Sequence, residues 1–254
     1  MIRVTRAAAG AATALALLGA PAQALDLSNM SAAEREAFGV QVREYLMENP
    51  EVILEAVNLL EQRQAAAEAT RDQALVADNL QELENDGYSW VGGNPEGDIT
   101  LVEFMDYRCG YCRRAAPEVA ELLAKDGNIR WVVKEFPILG EASVLSSRFA
   151  VATKQLAGDD AYKSVHEALM EMTGEPGEVA LRRLADGLDL DADAILAHMD
   201  SEDVTRELRQ TRDLAQRLSI SGTPTFVLGG ELLRGYLPTD QMEVLVAENR
   251  KNRG

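Results

Sequence analysis

The chain holds 254 residues, 46% hydrophobic and 26% charged, the balance of a globular protein of one or two domains, which excludes disorder and fibrous repeats. Its net charge of −17, from 25 Lys and Arg against 42 Asp and Glu, repels phosphate backbones and anionic membrane surfaces, so no nucleic-acid partner is expected. Two Cys and two His are too few for a disulfide scaffold or a multi-site metalloprotein.

Residues 1–24 carry the marks of a secretory signal. Arg3 and Arg6 precede a small, apolar run over 7–20, and Pro21-Ala22-Gln23-Ala24 ends in an A-x-A cleavage pattern. A run of about 14 residues is short of the ~20 needed to span a bilayer. Cleavage after Ala24 is therefore expected, with export to an oxidising compartment. Residues 25–86 read as helical. Ser31-Ala32-Ala33-Glu34 is a capping-box pattern, and Asn49-Pro50 ends one helix and opens another that runs to about Asn85. A helix of that length with a thin apolar stripe needs partner helices, and a second copy of the chain is the nearest source. The alternative is a solvated arm packed on its own domain.

Residues 87–97 form a Gly-, Asn- and Pro-rich connector. Residues 99–105 are β-rich, a helix pattern follows over 109–125, and residues 128–136 read as a second strand. Residues 139–216 are mostly helical, with breaks at Gly158, at Gly174-Glu175-Pro176-Gly177 and at Gly187. Residues 225–233 read as a hairpin turning at Gly229-Gly230, and a last helix spans 238–249.

Cys109-Gly110-Tyr111-Cys112 follows a strand and opens a helix. The pair is open to use as a redox dithiol, a zinc or copper half-site, or a structural bridge. Zinc wants four ligands, or three and a water, and only His166 and His198 remain. A bridge across so short a loop constrains the unfolded chain little. Redox exchange suits the position. Cys109 at a helix N-terminus meets free N–H groups and the positive end of the macrodipole, with Arg108, Arg113 and Arg114 adjacent, and these favour the thiolate that attacks disulfides. Cys112 lies one turn in, placed to resolve a mixed disulfide, and Tyr111 between them is expected to contact the sulfurs. Gly222-Thr223-Pro224-Thr225 puts a proline at the entry to a β-rich run, where a cis peptide would expose the Thr223 backbone to an extended substrate.

The stretch Val102-Glu103-Phe104-Met105-Asp106-Tyr107-Arg108-Cys109-Gly110-Tyr111-Cys112-Arg113, Pro117, the run Lys134-Glu135-Phe136-Pro137-Ile138-Leu139-Gly140 and Gly222-Thr223-Pro224-Thr225 together resemble the DsbA-like thiol-disulfide oxidoreductases of the bacterial cell envelope, in the thioredoxin superfamily. The resemblance covers about residues 92–249. It implies an α/β, thioredoxin-like fold over 87–254 with a helical insertion at about 140–216, preceded by an N-terminal helical arm. It implies that Cys109 and Cys112 are catalytic, that Pro224 is a cis-proline opposite them, and that Thr223 and Tyr111 meet the substrate. Glu103 matches a buried acid that moves protons for Cys112. Lys134 either pairs with Glu103 or is an exposed strand residue. No cofactor is required. The founding oxidase carries Pro-His between its cysteines, whereas this chain carries Gly-Tyr, with Thr before the proline, as in dimeric disulfide isomerases. The helical extension resembles the ScsC and Com1-like branch, whose members oligomerise and act as isomerases. The implied protein is a periplasmic, oligomeric isomerase or reductase, with envelope proteins as substrates and a membrane-bound redox partner. A dithiol oxidase, or a copper- or zinc-handling protein using the same cysteines, is the alternative.

Overall fold

The computed structural model describes residues 29–253, so the signal reading of residues 1–24 lies outside the described residues. The described chain divides into two compact units that part between Leu60 and Glu61.

The first unit holds α1 (Ala32–Glu48) and the start of α2 (Glu51–Asp78). The capping box forms as its spacing predicts. Ser31 Oγ accepts from the Glu34 N–H at 3.3 Å, and Glu34 Oε2 accepts from the Ser31 N–H at 2.8 Å. The helices break at Asn49-Pro50. Phe38, Tyr45, Met47, Ile53, Leu54 and Leu60 are between 43% and 69% exposed, so most of the apolar content of this unit lies uncovered.

The second unit begins inside α2, which stops at Asp78 rather than continuing to Asn85. Asn79 interrupts it, and α3 (Leu80–Glu84) follows. Val76 and Leu83 are fully buried, which makes the last turns of α2 and all of α3 part of this unit's core. The sheet comprises β1 (Trp90–Gly93), β2 (Ile99–Met105), β3 (Ile129–Glu135), β4 (Thr225–Leu228) and β5 (Glu231–Arg234), in the order β1-β3-β2-β4-β5. β2 and β3 are parallel and the other neighbours antiparallel. β1 falls in the stretch whose glycines read as a connector. Its glycines have a packing reason, because a Cβ on Gly92 would collide with the Trp90 ring.

Alternation along the strands sorts the core into two faces. Val102, Phe104, Val132 and Val227 pack against Val76, Leu83, Leu214 and Leu218. Ile99, Leu101, Ile129 and Phe226 pack against Ala115, Val119 and Leu122 of α4 (Gly110–Asp126) and Met242 and Val246 of α10 (Thr239–Arg253). Between β3 and β4 the chain inserts α5 (Glu141–Ala157), α6 (Asp159–Glu171), α7 (Glu178–Gly187), α8 (Ala192–His198) and α9 (Glu202–Arg217), with breaks at Gly158, at 172–177 and after Gly187 as expected. The α/β sheet with an inserted helical block is the architecture the resemblance implies.

Register decides the fate of Lys134. Glu103 is paired with Val133 and Phe104 with Lys134, so Lys134 points to the face opposite Glu103. It is neither a partner of that acid nor an exposed strand residue. Its fully buried Nζ donates to Asp86 Oδ2 at 2.5 Å and to the Glu82 carbonyl at 2.7 Å. Burial opposes the Asp86 charge, but the Lys134 ammonium outweighs it and holds the carboxyl below its usual range.

Removing one partner of this buried pair strands the other. Lys134→Met is expected to destabilise the protein by about 3–5 kcal/mol in urea unfolding, and Lys134→Met with Asp86→Leu to recover most of that loss.

Candidate active site

β2 ends at Met105, and the turn 106–108 carries the chain into α4, with Cys109 at the N-cap. Asp106 builds this turn. Its fully buried carboxylate accepts from the Arg108 N–H at 2.7 Å through Oδ1, and from the Ile138 and Leu139 N–H groups at 2.8 and 3.1 Å through Oδ2. One side chain thereby joins the loop before the dithiol to the loop after β3. No side chain caps α4, so its first N–H groups and dipole end face the Cys109 side.

Both cysteines are free thiols, and they differ in burial. Cys109 is 7% exposed, and its Sγ donates to the Thr223 carbonyl at 3.2 Å. Cys112 is fully enclosed. Burial pushes the Cys112 thiol well up, and the Glu103 carboxylate pushes the same way. The Thr223–Pro224 peptide is cis, as the resemblance implies. Pro224 is buried and Thr223 half-buried. The site thus brings residues 109 and 223 together across 114 positions of chain. Tyr111 projects into solvent, 62% exposed.

Glu103 lies in the layer beneath, 2% exposed. Burial raises it to about 7, against the opposing hydrogen bond from the Trp131 indole N–H to Oε2 at 3.1 Å. The three arginines expected to charge the dithiol are engaged in bracing. Arg113 Nε donates to the Tyr107 carbonyl at 2.7 Å, and Arg108 donates to the Gly174 carbonyl at 2.8 Å. Arg114 covers the Tyr236 ring at 4.5 Å.

Sequence reasoning missed a buried polar cluster behind the turn. Tyr107 and Tyr162 both donate to Glu135 Oε1, at 2.7 and 2.6 Å, and the Tyr107 hydroxyl lies 3.1 Å from His166 Nδ1. Glu135 Oε2 is buried with no hydrogen-bond partner within reach among the described residues, and burial lifts this carboxyl to about 7 against the pull of the Tyr162, Tyr107 and Ser147 hydroxyls. Burial also holds His166 down to about 4, so it stays neutral. Trp90 and Trp131 pack on the His166 ring with centroids 6.4 and 5.7 Å away. The available signal was alternation: Trp131, two residues before Val133, shares the Glu103 face. Phe226 and Phe136 are core residues, and Tyr236 donates to Glu118 at 2.7 Å. His198 lies at the end of α8, bonded to Gln155.

A family model described as the DSBA-like thioredoxin domain matches residues 100–247, and one described as the copper resistance protein ScsC N-terminal domain matches residues 34–67. Among solved structures, a thioredoxin-like oxidoreductase from Silicibacter pomeroyi is 42% identical with a TM-score of 0.63, covering 67% of this chain and 97% of its own. Proteus mirabilis ScsC in a transitional conformation is 25% identical with a TM-score of 0.64, covering 87% and 98%. Among curated relatives, a Na(+)/H(+) antiporter NhaA 3 from Salinispora tropica is 33% identical over 145 residues, 57% of this chain and 22% of the antiporter. The chain spans about a quarter or less of the first antiporter relatives it matches. Among the described residues no helix is long and apolar enough to cross a membrane.

The buried acid leaves a signature in stability. Glu103 ionises near its ordinary 4.5 in the unfolded chain and near 7 in the folded one. The folded chain binds the extra proton between those values, so this group's contribution falls as pH rises through that window. Relative to the parent, Glu103→Gln is expected to gain on the order of 3 kcal/mol between about pH 4.5 and 8 in urea unfolding. A pH-independent difference would show that Glu103 titrates normally.

Proposed function

From a chain that belongs to the family of DSBA-like thioredoxin domains, a thiol-disulfide oxidoreductase of DsbA and ScsC type, we propose an exported, oligomeric disulfide isomerase or reductase acting on envelope proteins through Cys109 and Cys112. The observation that carries the reading is the asymmetry of the dithiol. Cys109, at an uncapped helix N-terminus, keeps 7% of its surface exposed beside Thr223, while Cys112 is sealed over Glu103.

The Cys109 thiolate attacks a substrate disulfide. One new S–S bond forms to Cys109, the substrate S–S bond breaks, and the leaving sulfur departs as a thiolate. A second substrate thiolate then displaces Cys109, which completes an isomerisation with no net redox change. Alternatively Cys112 loses its proton to Glu103 and attacks Cys109, which oxidises the enzyme and releases a reduced substrate. Repeating the reduction requires an electron donor, and a membrane-bound dithiol partner is the proposed source. Thr223 and Pro224 present the backbone against which an extended substrate lies, and exposed Tyr111 meets its side chains. Export rests on the signal pattern of residues 1–24. Oligomerisation rests on the uncovered apolar residues of 32–60 and the match of residues 34–67 to the ScsC N-terminal domain.

Reactivation of scrambled-disulfide ribonuclease in a glutathione buffer tests the activity. Recovery is expected with the parent and is expected to vanish with Cys109→Ser. Recovery equal in both would remove the isomerase reading, and the dithiol's reduction potential would then test for an oxidase. Deleting residues 25–60 tests assembly. That cut spares Asp72, Val76, Leu83 and Asp86, which are built into the second unit. The truncated chain is expected to drop to monomer mass by light scattering and to lose most of its isomerase activity. Unchanged mass would sink the arm's role.

A further inference from the structure

The proposed mechanism asks Glu103 to take a proton from Cys112 and return it. A carboxylate has two oxygens, and the structure shows one of those on Glu103 occupied by a group that cannot accept a proton. Leu101, Glu103 and Met105 alternate onto the face of β2 that packs on α4. Register sets Trp131 opposite Leu101, diagonal to Glu103, and from there the indole N–H reaches Oε2 at 3.1 Å. An indole N–H donates and never accepts. A carboxyl proton on Oε2 would face that hydrogen, so the acid proton belongs on Oε1. The other groups around Glu103 do not compete for it. β4 presents Phe226, α10 presents Met242 and Val246, and α4 presents Cys112, with Cys109 beyond it. His166 packs edge-on at 5.7 Å behind Trp131, and Glu135 stands further off, beyond Tyr107. The indole also packs edge-on against Trp90, with ring centroids 5.4 Å apart. Trp131 is half-buried, and with Trp90, Pro117, His166 and Met170 it lines a cavity of about 490 Å³ on the outer side of α4.

We propose that Trp131 is the positioning residue of the proton-exchanging acid, its indole occupying Glu103 Oε2 so that Oε1 alone exchanges a proton with the Cys112 thiol. This rests on the reading of Glu103 as the proton acceptor. In the resolving step the Cys112 S–H proton passes to Oε1 and Cys112 sulfur bonds to Cys109. The Cys109–substrate S–S bond breaks, and the substrate leaves as a thiolate that takes its proton from water. The dithiol is oxidised and the substrate disulfide reduced. In reverse, Oε1 returns the proton as Cys112 leaves.

Two readouts test this, and neither is a stability measurement. The chain has two tryptophans, and the other indole, on Trp90, donates to the Asp159 backbone carbonyl, which does not titrate. In ¹⁵N spectra of the reduced protein, one indole N–H signal is expected to titrate with a midpoint near 7, to stop titrating in Glu103→Gln and to be missing in Trp131→Phe. In single-turnover oxidation by oxidised glutathione, the inflection that Glu103→Gln abolishes is expected to move up by about one pH unit in Trp131→Phe. Flat indole signals beside an inflection that Glu103→Gln removes would overturn the role of Trp131 and leave that of Glu103. An inflection that survives in Glu103→Gln would overturn both. The spectra use the unsubstituted chain, so they decide the matter even where Trp131→Phe fails to fold.

Discussion

The register of β2 against β3 is the constraint from which the second unit takes its shape. Setting Glu103 beside Val133 and Phe104 beside Lys134 sends Glu103 and Lys134 to opposite faces of the sheet, since a side chain's face changes with every residue. A slip of one residue would put the ammonium under the dithiol and leave Asp86 without its partner. With the observed register, the face toward α4 carries an acid with no cation beside it, and the opposite face carries a cation fully neutralised by the segment before β1.

The two faces then have different tasks. On the Lys134 side, acidic residues of 72–86 meet basic residues of the sheet and of α9. Asp72 pairs with Arg234, Glu82 with Arg217 and Asp86 with Lys134. Only the last is fully buried, and its energetic weight comes from the cost of leaving either charge alone in the interior. The apolar residues Val76 and Leu83 supply the non-directional part of the same junction. This is why the second unit starts inside a continuous helix rather than at the glycine-rich stretch that follows it.

On the dithiol side, buried acids cost stability. Glu103 and Glu135 are enclosed with no cation, and burial raises both to about 7. An acid held there changes protonation state with little driving force in either direction, which suits the role proposed for Glu103 of taking and returning a proton. The environment separates the two cysteines in the same way. One cysteine keeps a small exposed area at a helix start, and the other is walled in by the core and made a poor acid. Asp106 and Tyr107 tie the turn that leads into the dithiol to β3 and the loop beyond it.

Much of this was legible in the chain. The Ser31–Glu34 box, the Asn49-Pro50 break, the strands at 99–105 and 129–135, the glycine breaks of the helical block, and the Cys pair at a helix start are set by groups within a few residues of each other. Capping, period and turn chemistry act at that range. The short strand at Trp90 escaped because its glycines serve a tryptophan ring rather than a turn. The partner of Lys134, the donor to Glu103 and the cluster of Tyr107, Glu135, Tyr162 and His166 join residues 27 to 59 positions apart. The sequence by itself determined which segments fold and which residues can react. Only the tertiary structure decided which buried charge faces which, because a one-residue choice of register, invisible to local pattern, moves every side chain on a strand from one face to the other.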